Sequence, residues 1–229
     1  MSLDKFVVKQ APPTVFYISN FISEAEEEMI IKNVNSVPKP KWTQLSNRRL
    51  QNWGGIPHPK GMVAEKIPLW LQTHMNQIGQ LGIFAPGKMP NHVLINEYQP
   101  AQGIMPHTDG PLFHPTITTI SCGSHTVLDF SKRVRSDAEK NDASSTHQED
   151  DFSLFLERRS LVVIQDEVYD NYLHSIAEVS RDILSNKIKN LQLCQSQYEN
   201  NQELVRGTRI SLTIRHVPCT TKVLLRLSK

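Results

Sequence analysis

The sequence predicts an α+β fold, mainly β, in which a double-stranded β-helix (a jelly roll) follows two N-terminal helices. Three observations predict it. From residue 92 onward, short apolar–polar alternations recur between turn residues, at 92–98, 103–107, 116–122, 125–130, 152–156, 160–165, 172–177 and 209–217. Eight short strands with uneven loops fit a double-sheet jelly roll. Before residue 92 the apolar spacing is helical, and no internal repeat divides the chain into equal units.

In chain order, TVFYISNFI (14–22) reads as a strand running into a turn. Ser23 with Glu26 then forms a capping box that opens a helix to about Asn35, ended by Pro38 and Pro40. A second helix starts at Pro68 and runs to about Leu81, with Leu71, Met75 and Ile78 at helical spacing. Between them lies an irregular stretch, 36–64, that carries Lys39, Lys41, Arg48, Arg49 and Lys60 and no acidic residue. Trp42, Trp53 and His58 are interleaved with those cations. Two polar inserts interrupt the strands. That at 132–151 has no periodicity and reads as a mobile loop; that at 180–205 is Asn/Gln-rich, with apolar spacing too irregular to define a helix. At 229 residues the chain is expected to be one domain. Its parts are 1–91 (strand, helices and basic stretch), 92–217 (jelly-roll core with its inserts) and 218–229 (tail).

Composition narrows the function. Twenty-five Lys and Arg against 23 Asp and Glu leave a net charge of +2, so any affinity for polyanions must be local. No apolar run approaches the ~18 residues of a spanning helix, and residues 1–13 lack the pattern of a secretion signal. A membrane role is therefore not expected. Cys122, Cys194 and Cys219 are unclustered and read as reduced thiols of the cytoplasm or nucleus.

The chemistry is carried by residues at alternate strand positions. His107 and Asp109 project to one side of an extended segment, giving two corners of a triangular metal face. A second His would complete the set that leaves half an octahedron open, the pattern of non-haem Fe(II) oxygenases. In RISLTIRHV, Arg209, Ser211, Thr213 and Arg215 share one face and Ile210, Leu212 and Ile214 the other. Either the polar face points outward from an edge strand, or Arg209 grips a dicarboxylate through its planar fork. Asn96 and Tyr98 offer a carboxamide and a phenol to one side in the same way.

Taken in order, Asn96-x-Tyr98, His107-x-Asp109, a distal His174 and Arg209-x-Ser211-Leu-Thr-x-Arg215 resemble the AlkB family of Fe(II)/2-oxoglutarate dioxygenases. The stretches APPTVFYISNFIS and WTQLSNRRLQNWGG look closest to its sixth-homologue branch. The resemblance implies that His107, Asp109 and His174 bind Fe(II) and are catalytic, with 2-oxoglutarate and O2 as co-substrates. It implies that Arg209 pairs with the distal carboxylate of 2-oxoglutarate, helped by Tyr98 and Ser211. Asn96 and Arg215 would sit near the iron-chelating end, with Arg215 also orienting Asp109. Two features depart from the family pattern: Ser211 stands where some members carry Asn, and the interval from His174 to Arg209 is long. Among other imidazoles, His114 follows Asp109 too closely and His147 lies in an insert, while His125 stays an alternative third ligand. The resemblance also makes the 36–64 stretch a nucleotide-recognition lid. There Trp42, Arg48, Arg49, Gln51 and Trp53 would meet RNA or DNA, with single strands favoured. Its alternative is a solvated basic loop with both tryptophans anchored in the core. The implied function is oxidative demethylation of N-methylated bases by a monomer. A 2-oxoglutarate-dependent protein hydroxylase or demethylase, and a nucleic-acid-binding module with little turnover, are the alternatives.

Overall fold

The computed structural model describes residues 3–133 and 150–221; His147, most of the 132–151 insert and the end of the tail lie outside them. After strand β1 (Val15–Ile18), Ser23 caps helix α1 (Glu24–Ser36). The Ser23 hydroxyl accepts from the Glu26 backbone N–H while the Glu26 carboxylate accepts from the Ser23 N–H, so both helix-end donors are satisfied. The chain continues through β2 (Thr43–Gln44), β3 (Arg49–Trp53), β4 (Met62–Val63) and α2 (Leu69–Gln80), which begins directly after Pro68. Next come β5 (His92–Tyr98), β6 (Ile104–His107), β7 (Thr116–Cys122), β8 (Thr126–Lys132), β9 (Phe152–Leu156) and β10 (Leu161–Gln165). A short helix α3 (Asp166–Asn171) leads to β11 (Tyr172–Ile176). The hairpin β12 (Arg181–Ile183) and β13 (Glu203–Val205), the long β14 (Arg209–Arg215) and β15 (Thr220–Thr221) complete the described chain.

The strands build a seven-stranded sheet, β1-β10-β7-β14-β5-β3-β2, and a four-stranded sheet, β6-β11-β8-β9, beside two small pairs, β12-β13 and β15-β4. This corrects the expected jelly roll. Among the described residues no sheet closes on itself: β1 and β2 remain edges of the larger sheet, β6 and β9 of the smaller, and no strand of one pairs with the other. The fold is a mixed α+β arrangement of several sheets. Alternation specifies which side chains share a face, but closure depends on which edges pair, and alternation carries no such information. Pro106 illustrates the open edge: it sits in β6, where a residue without an N–H is tolerated.

The 36–64 stretch is also corrected. It is not an irregular lid throughout, because β3 pairs with β5 from Arg49↔Glu97 to Trp53↔Val93 and extends the larger sheet.

Side-chain packing, not strand pairing, joins the two sheets. Tyr17, Val162 and Ile164 of the larger sheet pack with Leu128, Phe130, Leu154 and Tyr172 of the smaller. On the outer face of the larger sheet, Ile95, Ile120, Ile210 and Leu212 pack against Ile30 and Val34 of α1 and Leu71 and Ile78 of α2. The alternation in β14 thus turns its isoleucines to the helices and Arg209, Ser211 and Arg215 towards the second sheet. Because β14 pairs on both sides, with β5 and β7, the edge-strand reading of those arginines is excluded.

The 180–205 insert is fastened by buried carboxylates. Glu157 accepts from the hydroxyls of Tyr17 and Tyr198 and from the backbone of Gln195 and Ser196. Asp182 takes two bonds from Arg206, at 2.7 and 2.6 Å. Burial alone would raise the Asp182 pKa, but Arg206 and His125 outweigh it and hold the carboxyl below its ordinary value of 3.8. A depressed carboxylate contributes stability above that ordinary value and loses it as pH falls towards the depressed one. Asp182→Asn, which leaves Arg206 unpaired, should therefore cost about 3–5 kcal/mol in urea unfolding at neutral pH. It should also flatten the acid limb of the stability curve; identical acid limbs in parent and variant would refute this role.

Candidate active site

A cavity of about 230 Å³ lies between the two sheets, lined from both. At one side β6 and β11 run antiparallel with His107 directly opposite His174, their ring centroids 4.3 Å apart. Asp109 follows two positions after His107, and one ligand atom from each of the three lies within 4.8 Å of the others.

Two of the three, His107 and Asp109, are oriented by a hydrogen-bonding neighbour. His107 Nδ1 faces the Met105 carbonyl at 2.8 Å; donating there, it leaves the Nε2 lone pair free. Asp109 Oδ1 accepts from Arg215 Nη1 at 2.9 Å, which leaves Oδ2. Burial pushes His174 down to about 4, with His107 and Arg215 adding to the shift and Asp109 opposing it, so its ring is neutral at physiological pH. Two imidazoles and a carboxylate on one face fit a ferrous ion with open positions.

The two arginines of β14 are satisfied differently. Arg215 is buried but paired: beyond Asp109, its guanidinium lies 3.8 Å from the Phe113 ring centroid, and Nη2 is 3.4 Å from Nδ1 of His92, its partner across the β5–β14 ladder. Arg209 is 4% exposed and has no carboxylate within ion-pair distance among the described residues. Its Nη2 donates to Ser121 Oγ at 2.9 Å, and its Nε has no partner. Burial lowers its pKa to about 10, with Tyr98 and Cys122 opposing, so it stays a cation. An uncompensated buried charge is costly, and an anionic ligand removes the cost. Tyr98 stands opposite Arg209 in the ladder, and Ser211 opposite Asn96; all four line the cavity. Burial raises the Tyr98 pKa against the lowering effect of Arg209, so its hydroxyl is a donor.

Of the five residues expected to meet nucleic acid, Arg48 lines the cavity; its Nε donates to Asn96 Oδ1 at 3.1 Å. The others have internal partners. Arg49 makes two bonds to Glu97, at 2.8 and 2.7 Å, and its guanidinium lies 4.0 Å from the Trp42 ring centroid. Gln51 is fully buried, donating to the Val34 carbonyl and accepting from Trp53 Nε1. Trp53 meets Trp70 edge-on, and Lys41 lies over its ring at 4.2 Å. Of the alternative imidazoles, His125 lies 3.4 Å from Asp182, and His114 stands edge-on to His216, 6.2 Å away.

Sequence reasoning missed Tyr169, whose hydroxyl donates to the carbonyls of Gly110 and Phe113 and so holds the segment after Asp109. It sits on α3, six residues long and too short to show a helical period. His92 was legible only from strand register, and Phe113 lies in the connection between β6 and β7, which no sequence pattern places.

The family profile of the 2OG-Fe(II) oxygenase superfamily matches residues 26–215, in agreement with this donor set, so the class of protein is an Fe(II)/2-oxoglutarate-dependent dioxygenase. A Danio rerio protein, "Probable RNA/DNA demethylase ALKBH6", is 53% identical over 229 residues, covering 100% of this chain and 96% of that one. The chain belongs to the AlkB family of these enzymes. Among solved structures, OsALKBH1 matches with a TM-score of 0.58 at 11% identity, over 89% of this chain and 96% of its own. A Pseudomonas putida prolyl-4-hydroxylase matches with a TM-score of 0.54 at 9% identity, over 94% and 98%. At such identities the likeness shows the fold alone. Among the described residues no helix is long and apolar enough to cross a membrane.

Proposed function

We propose that the protein removes N-methyl groups oxidatively from bases of RNA or DNA, single strands favoured. The observation that carries this is a cavity holding a His–Asp–His face at one side, an uncompensated buried cation, Arg209, within it, and a second cation, Arg48, on its wall. The similarity to the Danio rerio protein named as a probable RNA/DNA demethylase supports the substrate class.

In this reading His107 Nε2, Asp109 Oδ2 and His174 hold Fe(II). Arg209 receives the distal carboxylate of 2-oxoglutarate through its fork, with the Tyr98 and Ser211 hydroxyls beside it. Asn96 donates at the chelating end, and Arg215 keeps Asp109 aimed at the ion. When bound, iron with 2-oxoglutarate and O2 supplies the oxidising power that hydroxylates an N-methyl carbon, which leaves as formaldehyde. The apolar walls, Leu128, Leu156 and Ile164 among them, exclude water from that centre. Arg48 meets a backbone phosphate and so places the base.

The test is a turnover panel of single-stranded RNA and DNA oligonucleotides, each with one N-methylated base, set beside methylated peptides. Formaldehyde and succinate should appear in equal amounts with an oligonucleotide. Turnover of peptides alone would replace this reading with side-chain oxidation. Arg48→Glu should flatten the dependence of oligonucleotide binding on salt by about 0.7 in log–log slope; an unchanged slope would remove Arg48 from the contact.

A further inference from the structure

Two functions meet at one hydrogen bond. Arg48 lies in the turn between β2 and β3 and donates through Nε to Asn96 Oδ1 at 3.1 Å. A guanidinium only donates, so the amide oxygen of Asn96 is committed to Arg48, and its NH2 is left for another partner at the cavity that Asn96 lines. Asn96 is 5% exposed and stands opposite Ser211, two residues from Tyr98. The terminal nitrogens of Arg48 make no hydrogen bond among the described residues. The side chain is therefore able to hold Asn96 by its inner nitrogen and an oxyanion by its outer ones together. Its neighbours cannot substitute: Arg49 is committed to Glu97, and Asn47 bonds Glu178 beyond β11, which ties the same turn to the smaller sheet.

We propose that Arg48 couples the two ligands: a substrate phosphate on its outer nitrogens steadies Asn96 for 2-oxoglutarate, and 2-oxoglutarate on Asn96 steadies Arg48 for the phosphate. This rests on the nucleic-acid reading above. Coupling of this kind is reciprocal, so each ligand tightens the other by one common factor. The consequence is selective: the co-substrate is held best when a nucleic acid is already engaged.

Calorimetric titration of the Mn(II)-loaded protein with 2-oxoglutarate, with and without a saturating unmethylated single-stranded oligonucleotide, measures that factor without turnover. In the parent the oligonucleotide should tighten 2-oxoglutarate binding about 5-fold or more. Arg48→Lys keeps the charge but loses the inner donor, and should bring the factor to about 1 while oligonucleotide binding survives. Arg48→Met should weaken 2-oxoglutarate about 3- to 10-fold with no oligonucleotide present, because nothing then orients Asn96. An undiminished factor in Arg48→Lys, or unchanged 2-oxoglutarate affinity in Arg48→Met, overturns the inference. Failure of the parent to bind any oligonucleotide would instead overturn the nucleic-acid reading, and the Arg48→Met titration would still decide whether Arg48 orients Asn96.

Discussion

His174→Ala is expected to abolish Fe(II)-dependent succinate formation while leaving the fold intact. His174 carries no charge at neutral pH, since burial holds its pKa near 4. Its removal therefore strands no counter-ion and leaves only a small cavity beside His107. Loss of a direct ligand should exceed the 10- to 100-fold that loss of an outer partner costs a metal site, so Mn(II) affinity should fall by more than about 100-fold. Asp109→Ala is a poorer test, because it also strands Arg215, which is buried and pairs with that carboxylate. A destabilisation of about 3–5 kcal/mol would accompany the lost metal there and blur the result. His107→Ala should resemble His174→Ala. Calorimetric Mn(II) binding beside urea unfolding checks all three: retained Mn(II) affinity in His174→Ala would remove that residue from the site.

Arg209→Met is expected to move stability and co-substrate binding in opposite directions. In the ligand-free protein the guanidinium is buried with a single hydroxyl partner and no counter-charge among the described residues. An isosteric apolar side chain removes that cost, so the ligand-free variant should be more stable by about 1 kcal/mol, or 2–4 °C in Tm for a chain of this size. The same change deletes the carboxylate fork and should lose about 2–5 kcal/mol of 2-oxoglutarate binding. The thermal shift that 2-oxoglutarate gives the parent should therefore vanish in the variant. Arg209→Lys should fall between, keeping charge without the fork. A destabilised Arg209→Met that still shifts with 2-oxoglutarate would mean that Arg209 is structural and that the carboxylate binds elsewhere.

Local physics made much of this legible from sequence. The Ser23–Glu26 box is a short-range signal, and α1 begins where it says. In β14, alternation alone separated Ile210, Leu212 and Ile214 from Arg209, Ser211 and Arg215, and the structure places the two sets on opposite faces. The His107-x-Asp109 spacing placed two side chains of the triad together; the third required a partner strand. That His174 and not His125 stands opposite His107 is a matter of register between β6 and β11, which neither segment encodes by itself. Register also explains the divergence of Arg48 and Arg49. They are neighbours of the same type, yet strand pairing puts Arg49 beside Glu97 while Arg48 turns into the cavity. Gln51, expected to meet nucleic acid from the lid, is instead buried, because the backbone carbonyl of Val34 and the indole of Trp53 satisfy its amide. The jelly roll failed for a related reason: the eight strands expected from residue 92 and their facing were readable, whereas β12, β13 and β15 and the pairing of edges were not.

A crystal structure of the protein with Mn(II) and 2-oxoglutarate tests the central claim most directly. The expected result is one ion bound by His107, Asp109 and His174 on a single face, with the distal carboxylate of 2-oxoglutarate on both terminal nitrogens of Arg209. An ion held elsewhere, or a co-substrate carboxylate on Arg48 with Arg209 untouched, would contradict it.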